Sequence, residues 1–182
     1  MTVDFGRIVQ QGYVVADADA AARAWAERTG AGPFYAVEVE FERYFYRGVL
    51  TPLRLRIVSG NWADMQIELI QPLSGGGFYR QALASDPGKL NHYACLVEDL
   101  DGLLARRGLQ DRVLQSGQMP NGLKFVYLEG VVPGGLHLEL IQPLDSTRTM
   151  FAGLEALATR WDGRDPVRSG DRLAADMAGL AG

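Results

Sequence analysis

The chain has 182 residues, nearly half of them hydrophobic, which is enough for one ordinary domain or two small modules around a shared core. Its net charge of −4 leaves no electrostatic footprint for nucleic acid, and no apolar run approaches the roughly 18–20 residues of a membrane span. A single cysteine, Cys95, excludes an internal disulfide, and the N-terminus lacks a secretory pattern, so a cytoplasmic protein without nucleic-acid or membrane partners is expected.

In chain order, the apolar stretch from Gln10 reads as a short strand. Asp17 suits an N-cap for a helix over Ala20–Arg28, which Gly30 ends. Val37–Phe41 alternates with period two, as does Leu53–Ile57 around Arg54 and Arg56, so two strands follow with apolar faces inward. A further strand closes on ELIQPL at Glu68–Leu73. SGGG at Ser74–Gly77 and DPG at Asp86–Gly88 bracket a linker over 74–87. From His92 the order repeats: an apolar strand, Asp99 as N-cap, a helix over Leu100–Arg107, and Gly108. Leu123–Leu128 and Leu136–Ile141 read as strands joined by the turn VVPGG, and ELIQPL returns at Glu139–Leu144. Met150, Phe151, Leu154, Leu157 and Trp161 recur at helical spacing, predicting an amphipathic helix that covers core or meets a second copy. The tail after it is turn-rich and polar.

Two identical hexapeptides in one chain point to duplication. QQGYVVADAD from Gln10 aligns with HYACLVEDLD from His92, so Asp17 and Asp19 fall on Asp99 and Asp101. The expected organisation is α+β: a module over 6–73, the linker 74–87, a second module over 88–144, and a C-terminal helix and tail over 145–182.

The residues that carry chemistry follow this duplication. The first strand of each half offers Gln10 or His92 at one register, and the last offers Glu68 or Glu139. An amide oxygen, an imidazole and two carboxylates suit a six-coordinate divalent ion such as Co, Ni, Mn, Zn, Fe or Mg, with positions left for substrate oxygens. Singly, each has a plainer reading: a solvated Gln10, with Gln11 as rival one register away, or a core His92. Two carboxylates inside apolar strands nevertheless call for a shared cation. Glu40 is the candidate second acid/base group, with Glu38 and Glu42 beside it; a solvated strand face is the alternative for all three. Cys95, three after His92, points away from the ligand face into the core, and His137 shares the strand face of Glu139. Phe41–Gly48 with Trp62, Phe78 and Tyr79 offers aromatic walls for a pocket, and Arg54, Arg56, Arg80 and Lys124 are unspecific anion-binding candidates.

The stretches around Gln10 and His92 and the two ELIQPL endings resemble the vicinal oxygen chelate superfamily over about 6–144. The resemblance implies paired βαβββ modules forming an open barrel around one divalent metal, with Gln10, Glu68, His92 and Glu139 as its ligands. Gln, Glu, His and Glu is the glyoxalase I combination, whereas the ligand spacing and GLHLELIQP look more like methylmalonyl-CoA epimerase. That enzyme has His where this chain has Gln10. Val14, where glyoxalase I carries an arginine for glutathione, speaks against a glutathione adduct. The implied activity is a metal-dependent isomerase or lyase removing a proton alpha to a carbonyl through an enediolate, with Glu139 as base. An acyl thioester, a dicarbonyl or an aromatic compound is the implied small-molecule substrate. Two other classes stay open. One is a bleomycin-resistance-like binder and the other a ring-cleaving dioxygenase, against which Gln10 in a His position argues. A homodimer is common for such folds.

Overall fold

A computed structural model describes residues 5–181. The first half runs β1 (Ile8–Val14), α1 (Ala18–Thr29), β2 (Phe34–Phe41), a hairpin of β3 (Arg43–Tyr46) and β4 (Val49–Leu50), β5 (Leu53–Trp62) and β6 (Met65–Gly75). Helix α2 (Phe78–Ser85) leads to the second half: β7 (Leu90–Leu96), α3 (Leu100–Arg107), β8 (Val113–Gln118), β9 (Lys124–Leu128) and β10 (His137–Gln142). Helix α4 (Asp145–Arg160), β11 (Val167–Ser169) and α5 (Leu173–Ala178) complete the chain.

All eleven strands join one sheet in the order β11-β2-β5-β6-β1-β7-β10-β9-β8-β3-β4. Its centre is a seam. β1 pairs parallel with β6, β7 parallel with β10, and β1 pairs antiparallel with β7 between the halves. The two βαβββ modules are thus related by a local twofold axis through this seam, on which Gly12 faces His92 and Gln10 faces Ala94. Six strand spacings of roughly 4.8 Å would put β2 about 29 Å from β9 in a flat sheet. Instead the rings of Phe41 and Phe125 lie 5.9 Å apart, so the sheet curls into an open barrel.

The duplicated hexapeptide serves the same tasks in each half. Leu69 and Leu140 are fully buried against α1 and α3 on the outer face, while Ile70 and Ile141 pack inside the barrel. Gln71 Oε1 accepts from the backbone N–H of Ala18 at 3.1 Å, and Gln142 Oε1 does the same for Leu100 at 3.1 Å. Asp17 and Asp99 cap Ala20 and Gly102, each at 2.9 Å. Each helix therefore begins on two side-chain acceptors for its otherwise unsatisfied N–H groups, and ends on a left-handed glycine, Gly30 or Gly108.

Four segments add to the sequence reading. The stretch expected to be a linker holds α2, whose Phe78 and Tyr79 are buried in the barrel. The β3–β4 hairpin extends the far edge beyond β8, and β8 itself lies between the two regions read as second-module helix and strand. The polar tail supplies β11, which pairs with β2. Helix α4 covers core within the chain: Leu154 and Leu157 pack on Tyr35, with Met150, Leu173 and Met177 around them. Among the described residues no helix is long and apolar enough to cross a membrane.

Candidate metal centre

β1 turns Gln10, Gly12 and Val14 toward the barrel interior, and the parallel neighbour β6 turns Gln66 and Glu68 the same way. The twofold places His92 and His137 opposite these on β7 and β10, with Glu139 two residues on. Three groups from both halves converge. Glu68, His92 and Glu139 bring donor atoms within 4.8 Å of one another. His92 Nε2 lies 3.3 Å from Glu139 Oε2 and 3.6 Å from Glu68 Oε2. The other ring nitrogen, Nδ1, is 3.2 Å from Asn91 Oδ1. That acceptor fixes the proton of the neutral ring on Nδ1 and leaves the Nε2 lone pair facing the carboxylates.

Gln10 lines the same cavity as the two glutamates and is buried. Its Nε2 donates to Gln66 Oε1 at 2.6 Å, while its Oε1 has no hydrogen-bond partner. Glu139 Oε2 likewise carries no well-aligned hydrogen bond. A buried acceptor left without a donor costs roughly 1–3 kcal/mol. Two such oxygens beside a second carboxylate and an imidazole lone pair form a donor set that a divalent cation fits.

Without an ion the carboxylates draw a second proton onto the ring, which a bound cation would displace. Burial lowers the His92 pKa, but the carboxylates of Glu139 and Glu68 outweigh it and raise the value to about 9. Burial raises the pKa of Glu139, against the pull of the imidazole. The Tyr127 hydroxyl lies 3.3 Å from His92 Nε2 and accepts from Tyr79 at 3.2 Å. Burial and the charge of Glu139 hold both phenols well above their usual range, so they stay neutral donors.

One position escaped the sequence reading. A Cβ on Gly12 would fall 1.7 Å from Cε1 and 2.1 Å from Nε2 of His92, so the ring occupies the space of the missing side chain. Only the pairing of Gly12 with His92 across the seam reveals this, and that pairing joins residues 80 apart in the chain. Ser59 and Tyr127, paired with Glu68 and Glu139 respectively, also line the cavity.

Not every expected residue reaches the site. Glu40 is exposed, while Val37 and Phe41 on the same strand line the cavity. Strand alternation sends Glu38 and Glu40 outward, where Glu38 pairs with Arg54 at 2.6 Å. Arg56 binds Asp19 of α1, and Lys124 lies 3.3 Å from Asp101. Neither they nor Arg54 and Arg80 line the cavity. His137 packs edge-on against Phe78 with ring centres 4.8 Å apart, and burial lowers its pKa. Cys95 is buried among the α3-facing residues, away from the ligands. Phe41 and Tyr79 wall the cavity, whereas Trp62 is exposed beside Trp25.

Fold and site together define a protein of paired βαβββ modules with a candidate metal centre at their junction. The family model of the Glyoxalase/Bleomycin resistance protein/Dioxygenase superfamily matches residues 9–127, and the chain belongs to that superfamily. Among solved structures, methylmalonyl-CoA epimerase from Mycobacterium tuberculosis is similar with a TM-score of 0.52 and 18% identity, over 78% of this chain and 91% of that one. A hypothetical protein from Bacillus halodurans C-125 gives a TM-score of 0.52 at 11% identity, over 76% and 95%. A methylmalonyl-CoA epimerase variant from Streptomyces coelicolor, in complex with 2-nitronate-propionyl-CoA, gives 0.50 at 16%, over 76% and 94%. At such identities the likeness is one of fold. No curated protein matches the chain in sequence.

Proposed function

We propose that this protein is a metal-dependent isomerase or lyase that moves a proton alpha to a carbonyl group, with an acyl thioester or dicarbonyl compound as substrate. The observation that carries the reading is the convergence of Glu68, His92 and Glu139 from both modules, with the partnerless Gln10 oxygen in the same cavity. These four residues would hold the ion. A divalent ion bound there supplies Lewis-acid stabilisation of negative charge on the substrate's carbonyl oxygen.

Glu139 is the proposed base. Its buried carboxylate has a raised pKa, which makes the ionised form a stronger proton acceptor than an exposed glutamate. Tyr127, a neutral phenol, donates toward the Glu139 carboxylate. Phe41, Leu55, Ile57 and Phe125 exclude water from the space in front of the carboxylates. The likeness in fold to enzymes that act on methylmalonyl-CoA supports a thioester over other carbonyl compounds.

The test is exchange of the alpha hydrogen with solvent deuterium, followed by mass spectrometry over a panel of acyl thioesters and 1,2- and 1,3-dicarbonyls. Exchange that depends on an added divalent ion is expected, and Glu139→Gln should lower it about 10²-fold or more while an amide oxygen still ligates. Absence of ion-dependent exchange across the panel would sink the reading. Non-catalytic binding is the second reading, favoured by the apolar walls of the cavity. Tight uptake of aromatic ligands by ion-free protein, without exchange, would establish it.

A further inference from the structure

The cavity in front of the candidate ligands has a volume of about 360 Å³, and its floor and roof differ in kind. The floor is the polar cluster of Gln10, Gln66, Glu68 and Glu139. The walls are mostly apolar side chains of β2, β5 and β9 with Ser59 and Asn121, and Met150 and Phe151 of α4, with Ser146 and Thr147 earlier on that helix and Leu173 of α5, form the roof. This roof comes from the C-terminal segment, which lies beyond both modules and beyond the 9–127 match. Among the described residues no lysine or arginine lines the cavity.

Charge bookkeeping then limits the occupant. With His92 neutral, the two carboxylates balance a divalent ion, so no positive charge is left over for a second anion. An ionised group pushed toward Met150 and Phe151 would lose its water and meet no counter-charge, which is strongly unfavourable. An apolar chain there gains roughly fourfold in affinity for each methylene removed from water. At about 30 Å³ for a water-sized group, the volume accepts about a dozen heavy atoms.

We infer that the acyl group taken up by this cavity is uncharged, a medium-length aliphatic chain or single ring, and that Met150 and Phe151 of the appended helix set that preference over carboxylate-bearing acyl groups. Only the thioester head group rests on the function proposed above. The apolar choice rests on the cavity walls.

The experiment measures occupancy rather than chemistry. The small neutral dye 1-naphthylamine, whose emission shifts to shorter wavelength in apolar sites and which has eleven heavy atoms, is bound to the full-length protein. It is then displaced by N-acetylcysteamine thioesters of butanoate, octanoate, suberate and methylmalonate, the last two carrying a free carboxylate. Octanoyl thioester should displace the dye at least tenfold more tightly than the butanoyl, suberyl or methylmalonyl thioester. Met150→Lys should weaken octanoyl binding at least tenfold and strengthen suberyl binding. Phe151→Ala, a milder change, should weaken octanoyl binding several-fold with a melting temperature close to wild type. Failure of the dye to bind, or suberyl or methylmalonyl binding as tight as octanoyl, overturns the inference. Unchanged affinities in both variants overturn the assignment to the helix. Octanoyl selectivity without alpha-hydrogen exchange would leave this inference standing and remove the isomerase reading instead.

Discussion

The two modules are copies in backbone and opposites in how they use their copied positions. At the first-strand register, module one presents a thin amide, Gln10, opposite Ala94, while module two presents an imidazole, His92, opposite Gly12. Beside the carboxylates, Ser59 in the first half corresponds to Tyr127 in the second. Gln66 in the first half hydrogen-bonds Gln10, and its counterpart His137 packs on Phe78. The difference teaches that ligand and opposing residue vary together. A ring demands a missing Cβ across the seam, whereas an amide tolerates a methyl.

The largest test of this comparison removes the donors one half at a time. Apparent metal binding energies of 10–16 kcal/mol over four ligands amount to roughly 3 kcal/mol each, or about 100-fold in affinity. His92→Ala should lose at least that much by calorimetric titration with a divalent ion, since the only nitrogen donor goes. Gln10→Ala removes a neutral amide oxygen and should lose about tenfold. Equal losses would end the claim that the two copied first-strand positions are used differently. Next in size, Gly12→Ala should lower metal affinity by 10- to 100-fold, the usual range for disturbing a ligand's support, although position 12 is no ligand. Ala94→Gly, its counterpart, should change affinity less than twofold. If Gly12→Ala binds metal like wild type, the seam rule is wrong.

Where the modules behave alike, the effects should match. Gln71→Ala and Gln142→Ala each strip one acceptor from a helix start, and each should cost about 1 kcal/mol in denaturant titration. A difference above about 0.5 kcal/mol would show that the hexapeptide is not equivalent in the two halves. The smallest effect concerns the edges, where module one carries the tail. Tyr35 donates to Asp176 at 2.7 Å, and Arg168 donates to the same carboxylate at 2.9 Å. Burial and the bond to Asp176 raise the Tyr35 pKa to about 12, above its ordinary value of 10.0. Stability from this latch is therefore complete below pH 10 and is lost as pH rises from about 10 through 12. Tyr35→Phe should lower the melting temperature slightly at pH 7, where the latch is intact, and weaken the alkaline decline of a melting-temperature profile.

Much of this was legible in the sequence because duplication doubles each signal. ELIQPL, Asp17 with Asp99, and Gln10 with His92 mark positions that one half alone would leave ambiguous, and the βαβββ order and the converging Glu68, His92 and Glu139 follow from them. Glu40 carries no comparable pair: alternation identifies its face but not which face looks into a curled sheet. Gly12 was silent because its reason lies across a strand pairing distant in sequence. β8 is not legible because VLQSGQ mixes polar and apolar residues without a clear period-two alternation. Helix α2 was hidden by the glycines before it, and the tail strand gains its order from β2 rather than from its own residues.

The antiparallel seam between β1 and β7 has a thermodynamic consequence. Each half owns only two of the four proposed donors, so either half alone would hold an ion weakly, and the docked arrangement would bind it far more tightly. Docking and ion uptake would then be linked equilibria. At free ion one hundred times its dissociation constant, the seam would gain about 2.7 kcal/mol, the scale on which small domains are held together at all. An ion bound here would be a clasp for the whole molecule, and the concentration of free metal would set how often the barrel opens.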